Sequence, residues 1–339
     1  METIRWGILG CGAVTEVKSG PALQQAPGSA LVAVMRRDPV LAADYARRHG
    51  VPRWYARAAD LIADPEVDAV YVAAPPGAHL ELALAVAAAG KPAYVEKPMA
   101  RSHAECARMR AAFAAAGVPL FVAYYRRALP RFALVKALLD EGRIGRPVSV
   151  AYRYAMARTR VTGGWRLDPA ASGGGLFVDV GSHALDLFDW LLGPLADASG
   201  SATRGSPEAG VVEDVVAMRF RTASGALGAA TWDFAGLGPH VDRVEIGGTE
   251  GALRFAVFGD DPITLALPSG TEALTAPSPP HVQAPLVARV VDALLGRGAC
   301  PSTGETAART SRVIDDVLAG YYGSREGAFW LSTPTRGPW

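Results

Sequence analysis

Three side chains have types and spacings suited to proton transfer. Lys97 stands between Glu96 and Pro98, where the apolar run Ala93-Tyr94-Val95 stops. Such a run reads as a buried strand, and buried strand ends rarely carry charge unless something there uses it. Asp179 and His183 lie four residues apart in a stretch that reads as helix. That spacing puts both on one helix face, within hydrogen-bonding reach. A carboxylate paired with a histidine orients the ring and stabilises its charged form. Lys97 and His183 are therefore candidate proton-transfer groups. The competing readings are a solvated strand-end lysine and a helix-surface Asp–His pair.

A glycine turn precedes them. Gly7-Ile8-Leu9-Gly10-Cys11-Gly12-Ala13-Val14-Thr15 follows the first apolar run and opens a helix-like segment. Gly10 and Gly12 permit a tight turn and let phosphate oxygens approach the N–H groups of a helix N-terminus. Gly10, Cys11, Gly12, Ala13 and Val14 are the candidate dinucleotide contacts. The third position of the pattern, ordinarily Gly or Ala, is Thr15. Its β-branch should pack less closely on the strand. Arg36 and Arg37 follow Met35, the end of the second apolar run. Guanidinium groups suit a 2′-phosphate, so NADP(H) is favoured. Asp38, one step later, keeps NAD(H) open through the ribose hydroxyl.

The elements that must position these residues fall into two textures. Residues 5–9, 31–35, 69–73, 93–95 and 120–123 read as strands that are apolar throughout. Helix-like segments separate them, among them 80–89, stopped by Gly90, and 102–116, opened by the capping box Ser102 and Glu105. This alternation indicates an α/β fold with a parallel sheet covered on both faces, the doubly wound Rossmann arrangement. Ligands of such sheets lie beyond the carboxyl ends of the strands, so Gly10, Arg36, Pro75 and Lys97 should share one rim. After about residue 125 the pattern changes. Helices are expected at 130–141, 176–192, 285–295 and 305–320, and a loop at 172–175. Strands are expected at 147–157, 211–221, 226–234, 241–246 and 252–257, with a tight turn at 247–251. The connections are too short for crossover helices, so antiparallel pairing should dominate. Residues 198–210 and 268–280 read as polar loops. The division is a dinucleotide-binding domain, 1–124, and an α/β domain with a large, mostly antiparallel open sheet, 125–339.

Bulk properties exclude several function classes. The chain has 339 residues, 50% hydrophobic, enough for two cores. Its net charge of +1 gives no bias toward nucleic acid or membrane. Cys11, Cys106 and Cys300 are odd in number and far apart, which fits a reducing cytosol rather than a disulfide framework. No leader pattern and no membrane-length apolar run is visible, so a cytoplasmic protein is expected. The histidines at 49, 79, 103, 183, 240 and 281 form no ligand-like spacing, and no metal is expected.

Together these features resemble the glucose–fructose oxidoreductase / inositol dehydrogenase (Gfo/Idh/MocA) family. The resemblance runs over nearly the whole chain. It is carried by GILGCGAV (7–14), AGKPAYVEKPMA (89–100) and GGWRLDPAASGGGLFVDVGSHALDLF (163–188). The last stretch is most similar to the 1,5-anhydrofructose reductases and dihydrodiol dehydrogenases. The resemblance implies hydride transfer between NADP(H) and a CH–OH or carbonyl carbon of a sugar, polyol or cyclic diol. It implies that Lys97, Asp179 and His183 act at the substrate, the lysine and histidine in proton transfer. The aspartate would bind substrate or support the histidine. Tyr124 and Arg127 would lie on the substrate side, and Ala74, Pro75, His79, Glu96, Trp165 and Arg166 near the cofactor. Pro76 stands where the family has asparagine, which removes a polar side chain and a donor. Sheet packing into a homodimer or homotetramer is also implied. A different class, a dinucleotide-binding regulatory protein without turnover, fits the same fold. Retention of both Lys97 and His183 argues against it.

Overall fold

The computed structural model describes residues 2–157 and 164–331. Gly163, at the head of the 163–188 motif, and residues 332–339 of the expected second domain lie outside them. The chain divides into two units.

The first unit comprises Met1–Ala100, Glu105–Leu129 and Pro279–Ala308. Its strands are β1 (Ile4–Leu9), β2 (Ser29–Met35), β3 (Arg53–Tyr55), β4 (Ala69–Val72), β5 (Ala93–Val95) and β6 (Leu120–Val122). They run in the order β3-β2-β1-β4-β5-β6, every pair parallel. β4, β5 and β6 are buried at every residue, as a sheet covered on both faces requires. β3 escaped the sequence reading because it is a three-residue edge strand and only half-buried. The helices are α1 (Gly20–Gln25), α2 (Pro39–His49), α3 (Ala58–Ala63), α4 (His79–Ala88) and α5 (His103–Ala116). One core cluster joins Trp6, Ile8, Tyr71 and Tyr94 to Leu23 and Tyr45. The other joins Leu9, Val72 and Val95 to Leu61, Val86 and Phe113.

The second unit comprises Arg101–Ala104, Pro130–Ser278 and Arg309–Trp339. It contains α6 (Pro130–Asp140), β7 (Pro147–Ala155), α7 (Pro169–Ser172), α8 (Ser182–Leu192) and β8 (Ala196–Thr203). There follow β9 (Val215–Arg221), β10 (Leu227–Asp233), β11 (Val241–Gly248), β12 (Ala252–Phe255), β13 (Ile263–Leu267) and β14 (Gly270–Leu274). The eight strands form one sheet, β14-β13-β12-β11-β7-β10-β9-β8. Only the β7–β10 pair is parallel. Alternation holds: Val216, Met218 and Phe220 of β9 point into the core while Ala217, Arg219 and Arg221 are exposed. Gly248 N–H donates to Gly251 O at 2.8 Å and closes the expected turn between β11 and β12.

Several elements differ from what the sequence pattern predicts. The stretches expected as loops overlap the two edge strands: β14 lies within 268–280, and β8 runs from Ala196 into 198–210. Both are rich in small polar residues and held by backbone pairing on one side, so no side-chain pattern marks them. β13 lies between two expected segments and had no counterpart. The expected strand at 211–221 begins only at Val215.

The chain then returns to the first unit. α9 (Ala284–Leu294) buries Leu286, Val287, Val290 and Val291 in the cluster that contains Trp6 and Ile8. This apolar stripe is why residues 279–308 belong with the first unit, where the sequence reading placed them with the second. The last helix, α10 (Gly304–Tyr322), contributes its first residues to the first unit and the remainder to the second. No helix among the described residues is long and apolar enough to cross a membrane.

Candidate active site

The glycine turn sits at the carboxyl end of β1. Gly10 has φ +93°, and a Cβ there would lie 3.0 Å from the backbone nitrogen of Ala74. No other residue fits without moving that strand end. Gly12 differs: a Cβ there would meet nothing closer than Gly10 O, at 3.9 Å. Packing does not demand this glycine, but its backbone is left approachable. Thr15 is fully buried, and its hydroxyl donates to Gly12 O at 2.8 Å. Residues Thr15–Ser19 form a π-helical turn in which Gly20 N–H returns to Thr15 O. The wider turn accommodates the β-branched residue, and the Tyr45 hydroxyl donates to Thr15 O at 2.9 Å. Cys11 is fully buried, and burial pushes its thiol up to about 11, so it plugs the turn as a neutral group. Arg36 Nη1 donates to Cys11 O at 3.3 Å, which lays the guanidinium along the turn. Arg37 is exposed. Asp38 caps α2, accepting from the N–H groups of Val40 and Leu41.

Lys97 is half-buried just past β5, and its peptide with Pro98 is cis. Glu96 faces inward and is 8% exposed. Its Oε1 accepts the Tyr71 hydroxyl at 2.5 Å and Gln283 Nε2 at 2.6 Å. Its Oε2 accepts the backbone N–H of Lys97 at 3.0 Å. The glutamate thus anchors the lysine backbone. Burial, with Glu96 alongside, holds the Tyr71 hydroxyl well above its usual value, so it remains a donor. His79 lies at the start of α4, fully buried. Its Nε2 is 2.7 Å from Ala74 O, and its Nδ1 is 3.1 and 3.2 Å from Pro98 O and Met99 O. Burial pushes its pKa down and the carbonyls oppose that. The polar atoms of His79 and Glu96 are turned to the protein. The histidine braces the loop after β4 against the loop after β5. Tyr124 is buried in the same core cluster as Leu9 and Val95. Arg127 is buried too, and donates to Pro301 O at 3.3 Å.

In the second unit, Asp179 lies on a π-helical turn, Phe177–Gly181, that runs into α8. His183 is the second residue of that helix and is 5% exposed. Arg166 stacks on Trp165, with its guanidinium carbon 4.5 Å from the ring centroid. It donates through Nε to Asp179 Oδ2 at 2.8 Å. The structure therefore gives Asp179 an arginine partner that spacing alone did not reveal. The triple glycine before Asp179 serves close approach within this unit. A Cβ at Gly175 would fall 2.0 Å from Glu213 O, and one at Gly173 would fall 2.8 Å from the Arg101 backbone. Glu213 takes the Gly175 N–H at 2.9 Å and the Tyr322 hydroxyl at 2.6 Å. The acidic residues further along α8 have structural partners. Asp189 is gripped by Arg309 at 2.7 and 2.8 Å, and Asp186 takes the Thr310 hydroxyl at 3.4 Å. Among the described residues no three His, Cys, Asp or Glu side chains are grouped to hold a metal ion.

Two family models match. One, for the oxidoreductase family's NAD-binding Rossmann fold, covers residues 4–124, and one for the GFO/IDH/MocA C-terminal domain covers residues 132–254. The chain is 35% identical to Oxidoreductase P35 of Formosa agariphila, over 92% of this chain and 97% of that one. It is 32% identical to the 1,5-anhydro-D-fructose reductase of Ensifer adhaerens, over 74% of each. The chain belongs to the Gfo/Idh/MocA oxidoreductase family. As a member it is an NAD(P)-dependent oxidoreductase acting on CH–OH groups. The architecture agrees: a levoglucosan dehydrogenase in complex with NADH and levoglucosan superposes with a TM-score of 0.83 over 93% of this chain and 96% of that one. At 23% identity that likeness speaks for the Gfo/Idh/MocA fold alone.

Proposed function

We propose that this Gfo/Idh/MocA enzyme is an NADP(H)-dependent dehydrogenase or reductase of sugars, polyols or cyclic diols. The observation that carries the reading is the approachable backbone at Gly12, where a Cβ would touch nothing nearer than 3.9 Å, at the same carboxyl end of the sheet from which Lys97 emerges. Ligands of parallel α/β sheets lie at that edge. The bound dinucleotide would take up or deliver the hydride. Gly10, Gly12 and the following N–H groups would hold its pyrophosphate, and Arg36 its 2′-phosphate.

The protein's own work is proton transfer and positioning. Oxidation of an alcohol carbon releases a hydroxyl proton, and reduction requires one. Lys97 or His183 takes or returns it. Asp179 accepts a bond from a substrate hydroxyl or holds the histidine, with Arg166 fixing the carboxylate. Glu96 and His79 keep the Lys97 backbone still.

The decisive experiment titrates NADP and NAD separately, then screens sugars, anhydro sugars and cyclic diols by absorbance of the reduced nicotinamide. NADP is expected to bind more tightly. A preference for NAD would transfer the ribose role to Asp38. Binding of neither dinucleotide would sink the reading.

A further inference from the structure

One turn of the second unit is held far more firmly than a surface connection requires. Residues 256–262 link β12 to β13. Asp242 accepts three successive backbone N–H groups there: Val257 at 3.0 Å, Phe258 at 2.5 Å and Gly259 at 3.2 Å. The Tyr152 hydroxyl donates to the same carboxylate at 3.2 Å. From the other side Arg131 donates to the carbonyls of Gly259, Asp261 and Ala256, at 2.6, 3.2 and 3.4 Å. A concave run of N–H groups on one carboxylate is a rigid device. Surface connections are ordinarily more mobile than the elements they join.

The clamp presents one large side chain. Phe258 is half-buried, and its ring stands 5.7 Å from the His183 ring at 85°. Tyr154 lies behind it at 5.3 Å, and His240 flanks Tyr154 at 5.4 Å. A half-exposed phenyl ring fixed beside a proton-transfer histidine forms an apolar wall next to a polar group. Small-molecule subsites are built from that pairing.

We propose that Phe258 is the apolar wall of the substrate subsite at His183, and that it selects ring-shaped polyols over open-chain ones. The inference rests on the catalytic reading of His183 given above. A pyranose or cyclohexane polyol has a persistent C–H face that can lie flat on an aromatic ring. An open-chain polyol has none and must be ordered before it can offer one. A sugar ring stacked on Phe258 would stand nearly at right angles to the imidazole beside it. The clamp matters because a wall that moves selects nothing.

The test uses the full-length enzyme saturated with dinucleotide. Wild type, Phe258→Ala and Phe258→Tyr are titrated by ligand-observed NMR with a cyclohexanehexol, a pyranose and an open-chain hexitol. The same set is assayed for turnover, and thermal unfolding checks that each variant is folded. Wild type should prefer the rings. Phe258→Ala should weaken ring binding about tenfold while hexitol binding changes less than about twofold, and Phe258→Tyr should keep the preference. No ring preference in wild type, or equal loss on rings and hexitol in Phe258→Ala, overturns the proposal. Ring binding without turnover would instead remove the proposed function and leave the subsite standing.

Discussion

Gln283 lies 187 positions beyond Glu96 in the chain and donates its side-chain N–H to Glu96 Oε1 at 2.6 Å. The Tyr94 hydroxyl donates to Gln283 Oε1 at 3.2 Å, which fixes the amide orientation. Both residues are buried, so the carboxylate depends on this donor and on Tyr71. Gln283→Ala should destabilise the protein by about 1–3 kcal/mol, the cost of stripping a partner from a buried polar group. Urea unfolding measures it. Tyr71→Phe should cost a similar amount, and the double variant less than the sum, because the two donors share one oxygen. An unchanged midpoint in Gln283→Ala would contradict the anchoring role.

The two glycines of the turn should respond differently to the same change. Gly10→Ala forces a side chain into the left-handed region against Ala74, at a cost of about 1–2 kcal/mol in stability. Gly12→Ala meets only an ordinary contact, 3.9 Å from Gly10 O, and should fold as well as wild type. Its methyl group would stand where a phosphate must approach, so dinucleotide affinity should fall at least about tenfold. Calorimetric titration beside denaturant unfolding separates the effects. Equal affinity in Gly12→Ala would remove the pyrophosphate from this turn.

Glu16, one residue past Thr15, gives a pH signature. Its hydrogen bonds to Arg48, with His49 adding to them, hold its carboxyl down at about 2 against an ordinary 4.5. Folding therefore favours the ionised form. The stabilisation is fully present above pH 4.5 and is lost as pH falls toward about 2. The side chain is 31% exposed, so solvent screening limits the pair to less than about 1 kcal/mol. Glu16→Gln should unfold earlier than wild type near neutrality, and the difference should vanish near pH 2 and shrink in high salt. A gap independent of pH would mean the loss is one of packing.

How far the sequence carried is visible in particular residues. The parallel sheet was legible because β4, β5 and β6 are apolar throughout, and the lysine because a charge ended such a run. β8 and β14 were not, because an edge strand made of Ser, Gly, Ala and Thr is held by its backbone. Gln283 was invisible for another reason. It lies in a stretch of proline and small polar residues, and only folding brings it to Glu96. Thr15 read as a defect in a glycine pattern, whereas the structure absorbs it in a π-helical turn that no 3.6-residue periodicity announces. The chemistry-bearing residues could be named from type and spacing. The partners that hold them still could not.

The Arg166–Asp179 pair separates two roles for one loop. If Arg166 reaches the dinucleotide, Arg166→Ala should raise the dinucleotide dissociation constant and leave the substrate KM alone. If it serves Asp179, to which it donates at 2.8 Å, the reverse should hold. The geometry favours the second. Asp179 has 12% of its side chain exposed, and removing its cation leaves a mostly buried carboxylate short of a partner. Arg166→Ala should therefore raise the substrate KM about tenfold with dinucleotide affinity unchanged. Arg166→Lys keeps the charge but not the planar donor, and should recover only part of the loss. Steady-state kinetics with each substrate varied in turn, beside direct dinucleotide titration, reads both constants. A weakened dinucleotide with an unaltered KM would return the loop to the cofactor.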